Sequence, residues 1–203
     1  MQERQLNVMS DQTPSAAPGE PAPDRMTALA EAAREACARG VAPVHKWNPE
    51  RCGRLDLVIR ADGSWIYEGS AIRRPALVKL FSTVLRRDPE GYVLVTPAEK
   101  LDITVEDAPF LAVELASDGE GPERRIRFRT NVDDVVDVGP EHALRFEEAT
   151  DGGFKPYVHV RSDLWALVAR SAVYDLVDLA EEQNGRLGVW AGGVFFSMAE
   201  AAA

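Results

Sequence analysis

The feature that most constrains this chain is an order of elements that occurs twice. Leu55, Leu57 and Ile59 alternate as a half-buried strand does, Asp62-Gly63 marks a turn, and Trp65 and Tyr67 continue the period of two. Arg73 and Arg74 then precede Pro75, which suits a first helical position because the N–H it lacks would have no partner there. Leu77, Leu80, Phe81, Val84 and Leu85 follow at the spacing of one helical face. A shift of 89 positions (144 − 55) sets Leu144, Phe146, Asp151-Gly152 and Phe154 on the first hairpin. A shift of 88 (161 − 73) sets Arg161 on Arg73, and Trp165, Val168 and Ala172 on the helical face. A shift of 94 (185 − 91) sets Gly185 on Gly91. Any two registered helices share apolar periods, so the weight falls on the common order: strand, Asp-Gly turn, strand, arginine, helix, glycine, strand.

That order predicts an α+β fold with an internal duplication, because strands and helices do not alternate regularly enough for a doubly wound sheet. Residues 1–25 read as a disordered tail, proline-rich and too poor in large apolar groups to offset their ordering entropy. Residues 26–40 read as a helix capped by Thr27, stopped by Gly40 and supported by the pairs Glu31/Arg34 and Glu35/Arg39. A first domain is predicted over 41–117 and its duplicate over 118–203, with the break in the loop "DGEGPE". "DITV" and "FLAVELA" are expected to pair as strands around "EDAP". The longest helix is expected from "SDLWALVARSAVYDLVDLAEEQNG", capped by Ser162.

Composition excludes several classes. A net charge of −10 over 203 residues repels polyanions, so no nucleic-acid polymer is expected as a partner. A basic pocket can still hold a small anion, since exposed charges are screened within about 8–10 Å. No apolar run approaches the roughly 20 residues of a membrane span, and no signal-peptide order opens the chain, so a cytoplasmic protein without membrane contact is expected. Cys37 and Cys52 read as free thiols. His45, His142 and His159 are not at metal spacing. There is no phosphate loop and no Gly-x-Ser-x-Gly elbow, so no cofactor is specified and an enzyme is not the favoured reading.

The remaining candidates are mostly cations at element ends. A helix N-terminus favours an anion by about 0.3–1 kcal/mol, and an arginine can add a charge-assisted hydrogen bond of about 1.5–3 kcal/mol. Arg73, Arg74, Arg161 and Lys100 are therefore candidate contacts for phosphate or carboxylate, against the plainer reading of strand-end arginines paired with carboxylates. Glu106, Asp107 and Asn131 are candidate lining residues at strand ends. A hydrolase would need Asp107 or Glu106 beside Lys100 in a pocket.

"DGSWIYEG", "IRR", "LVTPAEK", "VEDAPF" and the C-terminal "GVWAGGVFF" together resemble the bacterial family known as domain of unknown function 1285, over roughly Trp47 to Met198. The resemblance implies a duplicated two-domain α+β protein with a C-terminal half loosely like pleckstrin-homology folds. It also implies a nucleotide-like ligand between the domains and a role in signal transduction, with no catalytic residues to carry over. The expected function is thus binding of a small anionic or nucleotide-like ligand between the halves. The alternative is a protein–protein interaction module.

Overall fold

A computed structural model describes residues 24–38, 40–149 and 153–200. Residues 1–23, Arg39 of the expected Glu35/Arg39 pair, and the Asp151-Gly152 turn lie outside them. Helix α1 (Arg25–Cys37) starts from Asp24, not from Thr27, and has no side-chain cap. The first sheet contains β1 (Arg51–Ile59), β2 (Trp65–Tyr67), β3 (Ser70–Ala71), β4 (Leu85–Asp88), β5 (Gly91–Val95) and β6 (Lys100–Val105). Its spatial order is β3-β2-β1-β6-β5-β4, with β1 and β6 parallel at the centre. Helix α2 (Pro75–Thr83) joins β3 to β4 and carries α1 on its surface.

The second sheet contains β7 (Phe110–Asp118), β8 (Arg125–Thr130), β9 (Val135–Asp137), β10 (Leu144–Glu148), β11 (Phe154–Arg161) and β12 (Leu164–Val168), in the order β10-β11-β12-β7-β8-β9. Helix α3 (Arg170–Asp178) and a three-stranded sheet of β13 (Glu181–Gln183), β14 (Arg186–Ala191) and β15 (Val194–Glu200) complete the chain. The fold is α+β and duplicated. Both halves contain a run of three strands, one helix and three strands, preceded in the second half by β7–β9, and β15 lies beside β10 as β6 lies beside β1, without a ladder. Helix α2 maps on α3 at a shift of 95 (170 − 75), and the same shift carries β5 onto β14 (186 − 91).

That register corrects the helix expected from Ser162. Residues 164–168 are strand β12, where burial alternates strictly between Leu164, Ala166 and Val168 and their neighbours. An apolar run that also fits a helical period conceals this period of two. Ser162 is no helix cap; it sits in the left-handed region (φ 49°) of the turn between β11 and β12. Arg161 therefore does not match Arg73. The position equivalent to Arg73 is Val168, immediately before α3. Likewise, Leu85 opens β4 instead of extending α2.

Strands β6 and β7 do not pair. β6 lies between β1 and β5, and β7 lies between β12 and β8. "EDAP" is thus the crossing from one sheet to the other, so β7, assigned to the first half by the sequence reading, belongs to the second. The two halves share one core. Trp65, Phe81, Phe110 and Phe128 are all but inaccessible within it, and each such side chain contributes about 1.5–3 kcal/mol by leaving water.

Candidate binding site between the two halves

Among the described residues, polar contacts tie the halves at three joints and at an exposed Lys79–Asp133 pair (3.2 Å). The first rests on Asn131, which follows β8. Its side-chain oxygen accepts from Leu111 N–H (3.1 Å), and its Nδ2 donates to the Gly63 carbonyl (3.2 Å) in the β1–β2 turn. The second is Asp107, on the crossing. It accepts from Lys155 Nζ (2.7 Å) and the Tyr157 hydroxyl (2.7 Å) of β11. Burial alone would raise the Asp107 carboxyl, but those two hydrogen bonds and the lysine charge hold it below its ordinary value. Tyr157 is pushed well above its ordinary value by burial and then by its bond to Asp107.

The third joint is the β11–β12 turn. Arg161 pairs with Asp134 and donates Nη2–H to the Ser82 carbonyl (2.7 Å) at the end of α2. A cation there complements the negative end of the helix dipole. Its guanidinium also lies over Phe110, 4.9 Å from the ring centre. Asp163, two residues on, faces Arg87 of β4 at 3.5 Å.

Beside this turn is a cavity of ≈ 860 Å³ with walls from both halves. Val41, Pro43 and Val44 of the connector after α1 form one side, Thr83 and Leu85 another, and Arg161, Ser162 and Leu164 the third. Arg86 anchors the connector: it donates to the carbonyls of Val44 and Trp47 (both 2.7 Å) and chelates Asp88 (2.6 and 3.0 Å). The Arg86 hydrogen bond, and then Lys100, keep the Asp88 carboxyl below its usual range despite burial. Cys37 also lines the cavity, with Sγ 3.1 Å from Thr83 Oγ1. The Thr83 hydroxyl proton goes to the Leu80 carbonyl (2.6 Å). With that proton engaged, the Thr83 oxygen is left to accept from the Cys37 S–H.

The structure separates the candidates named from the sequence. Arg161 reaches the large cavity, but by way of α2's C-terminal end and not a helix start. Arg73 and Asn131 meet in a second, shallower crevice of ≈ 440 Å³ between the β1–β2 turn, α2 and β7. Among the described residues neither Arg73 nor Arg74 has an ion-pair partner, and both are exposed. Arg74 faces away from that crevice, toward α1. Lys100 is committed to Asp88 at 3.2 Å, and Glu106 accepts the Ala61 N–H at 3.1 Å to close the β1–β2 turn. Lys100, Glu106 and Asp107 thus hold separate partners and do not converge. Trp65 is buried and offers no face for a base, and the half-buried Trp190 packs edge-on against Phe195 and lines neither crevice. Sequence reasoning missed Arg86 and Asp134. It reads the segment from Ala42 to Gly53 as a connector punctuated by Pro43, Pro49 and Gly53, but gives it no part in a site. Among the described residues no cluster of metal-ligating side chains forms, and no helix is long and apolar enough to cross a membrane.

These features define a two-domain α+β protein whose duplicated halves enclose a small-molecule-sized cavity. The N-terminal domain profile of the DUF1285 family, a domain of unknown function, matches residues 42–108, and its C-terminal domain profile matches residues 109–198. The chain belongs to the DUF1285 family. The boundary between the two profiles falls where the chain crosses from the first sheet to the second. The crystal structure of a DUF1285 family protein from Silicibacter pomeroyi DSS-3 is similar with a TM-score of 0.80 and 42% identity, covering 85% of this chain and 94% of that one. A second family member, from Shewanella baltica OS155, gives a TM-score of 0.48 at 26% identity, covering 61% of this chain and 91% of that one. No curated protein matches the chain.

Proposed function

We propose that the protein binds a small molecule in the cavity between its halves, with an apolar body against Val44, Leu85 and Leu164 and a polar head at Arg161. The observation that supports this most is the cavity itself. Its volume lies within the roughly 300–1,000 Å³ of small-molecule sites, and a mostly apolar wall carries a few polar side chains, the Arg161–Asp134 pair and Arg86 among them. Arg161 spends one N–H on Asp134 and one on Ser82, and three of its five remain. Asp134 neutralises its charge. The head best suited is therefore a neutral acceptor or an adjacent donor–acceptor edge, such as an amide or a heterocycle, and an anion would have to displace Asp134. Because both halves supply walls, occupancy would bias their relative placement, which is what a signalling role requires.

A second reading keeps an anionic or nucleotide-like ligand, in the shallower crevice. It is favoured by Arg73, which has no ion-pair partner among the described residues and lines the same crevice as Asn131 and Asp62. An interaction module has less support. Among the described residues the exposed apolar side chains Val41, Val135 and Leu187 lie on separate segments, and Tyr174 and Val177 form one small pair on α3. The test is a thermal-shift screen of neutral amides and heterocycles, carboxylates and nucleotides, repeated on Arg161→Met and Arg73→Ala. A ligand at 100 times its Kd adds about 2.7 kcal/mol to stability. Loss of the shift in Arg161→Met alone supports the large cavity, and loss in Arg73→Ala alone supports the second reading. No shift with any compound in the wild type would sink both.

A further inference from the structure

His159 of β11 holds two carbonyls at once. Its Nδ1 lies 2.9 Å from the Glu141 carbonyl oxygen and its Nε2 lies 2.5 Å from that of Ser162. A neutral imidazole has one N–H and one lone pair, so it can donate to only one of them; the other carbonyl would face a lone pair. Both contacts are satisfied only by the imidazolium. Arg145, which shares Trp165 with the ring, is a like charge, so it is the two carbonyls that favour the cation. Trp165 of β12 meets it edge-on at 5.1 Å, and Arg145 of β10 stacks on the same Trp165 at 4.4 Å. His142, the other titratable group, is centred 5.8 Å away and directs its Nδ1 at the His159 carbonyl oxygen (3.0 Å). Arg161 and Asp163, the charges of the turn itself, are engaged with Asp134, Ser82 and Arg87.

The carbonyl that His159 grips belongs to Ser162, the left-handed residue between those two interdomain contacts. We propose that His159 is a proton-operated latch: its imidazolium fixes Ser162 and so holds the β11–β12 turn against the first half, and proton loss releases it. With one donor left, His159 gives up a carbonyl. Ser162, in a conformation non-glycine residues seldom adopt, is the side that gains by relaxing. Arg161 and Asp163 then lose their register on Ser82 and Arg87. The latch is closed at the acidic end of the histidine range and open at the basic end, independently of what the neighbouring cavity binds.

The test is NMR on the full chain between about pH 5 and pH 8, the span in which histidines titrate. At the acidic end both ring nitrogens of His159 should show protonated-nitrogen shifts. The amides of Ser162, Asp163 and Thr83 should move along the same titration curve as the ring. His142→Gln should keep that curve, and His159→Gln should abolish it. The proposal is overturned if the ring carries a single proton throughout. It is equally overturned if the ring titrates while only residues 141–143 respond and Ser162 and Thr83 stay still. Both readings come from the wild type, so they hold even if His159→Gln fails to fold.

Discussion

Gly63→Ala tests the joint at Asn131 most directly. Gly63 has a φ of +80°, and a Cβ built there would lie 2.9 Å from Asn131 Nδ2 and 3.2 Å from Leu111 Cβ. Three costs follow. A side chain in the left-handed region costs about 1–2 kcal/mol. Pushing the Asn131 amide aside removes its bond to the Gly63 carbonyl, worth about 0.5–1.5 kcal/mol net, and endangers the bond from Leu111 N–H. The sum is about 3 kcal/mol, which for a chain of this size lowers Tm by about 6–12 °C. Chemical denaturation of a two-mutant cycle separates the parts. Asn131→Ala removes the amide that clashes, so in that background Gly63→Ala should cost only the backbone portion, about 1–2 kcal/mol. The double variant should therefore be more stable than additivity predicts by about 1–2 kcal/mol. Additive costs would refute the contact between turn and asparagine. A cost below about 0.5 kcal/mol for Gly63→Ala alone, within the range of neutral surface changes, would refute the strained turn itself.

Two further outcomes follow from the polar joints. The Asp107 carboxyl is held below its ordinary value, so its contribution to stability is present above the unfolded-state value and is lost as pH falls through the folded one. Acid titration of stability should show that loss in the wild type and a flatter profile in Asp107→Asn; identical slopes would contradict the assignment. Arg86→Met leaves Asp88 with Lys100 alone, strands the carbonyl of Trp47 and leaves that of Val44 with only the Trp47 N–H, so it should cost about 3–5 kcal/mol. Hydrogen exchange should accelerate first at the 41–47 connector, and uniform acceleration would argue against Arg86 as its anchor.

Much of the fold was legible in local signals. The hairpins at 51–67, 144–161 and 186–200 each announce themselves by period-two patterning around a turn, and Pro75 marks α2. What stayed hidden was long-range. The run Leu164-Trp165-Ala166-Leu167-Val168 fits both a strand and a helix, and only β7 lying beside it decides the matter. The duplication was visible as an order of elements, but its helical register was off by seven (95 − 88): from the hairpin shift of 89 the chain gains five residues in β11 over β2 and three in β12 over β3 and loses two in the linker before the helix, where the sequence reading removed one. Of the site, Arg161 and Asn131 stand at joints between the halves, yet their partners Asp134, Ser82 and Gly63 carry no mark in the sequence. Lys100 and Glu106 were ordinary cations and carboxylates whose partners lie across a sheet, and spacing along the chain does not encode that.

The parallel pairs at the centre of both sheets also set the order in which the chain can complete itself during synthesis. β1 must wait for β6, 46 residues later at Ile59 and Val105 (105 − 59), and β7 must wait for β12, 56 residues later at Phe110 and Ala166 (166 − 110). Non-local closures of this kind slow folding. The first sheet can close as soon as Val105 has emerged. In the second, β7, β8 and β9 form a meander with one bare edge, open to mispairing until β12 arrives to cover it. A ribosome pause after Asp137 would prolong that exposure, whereas a pause near Val105 would give the first half time to finish before the second begins.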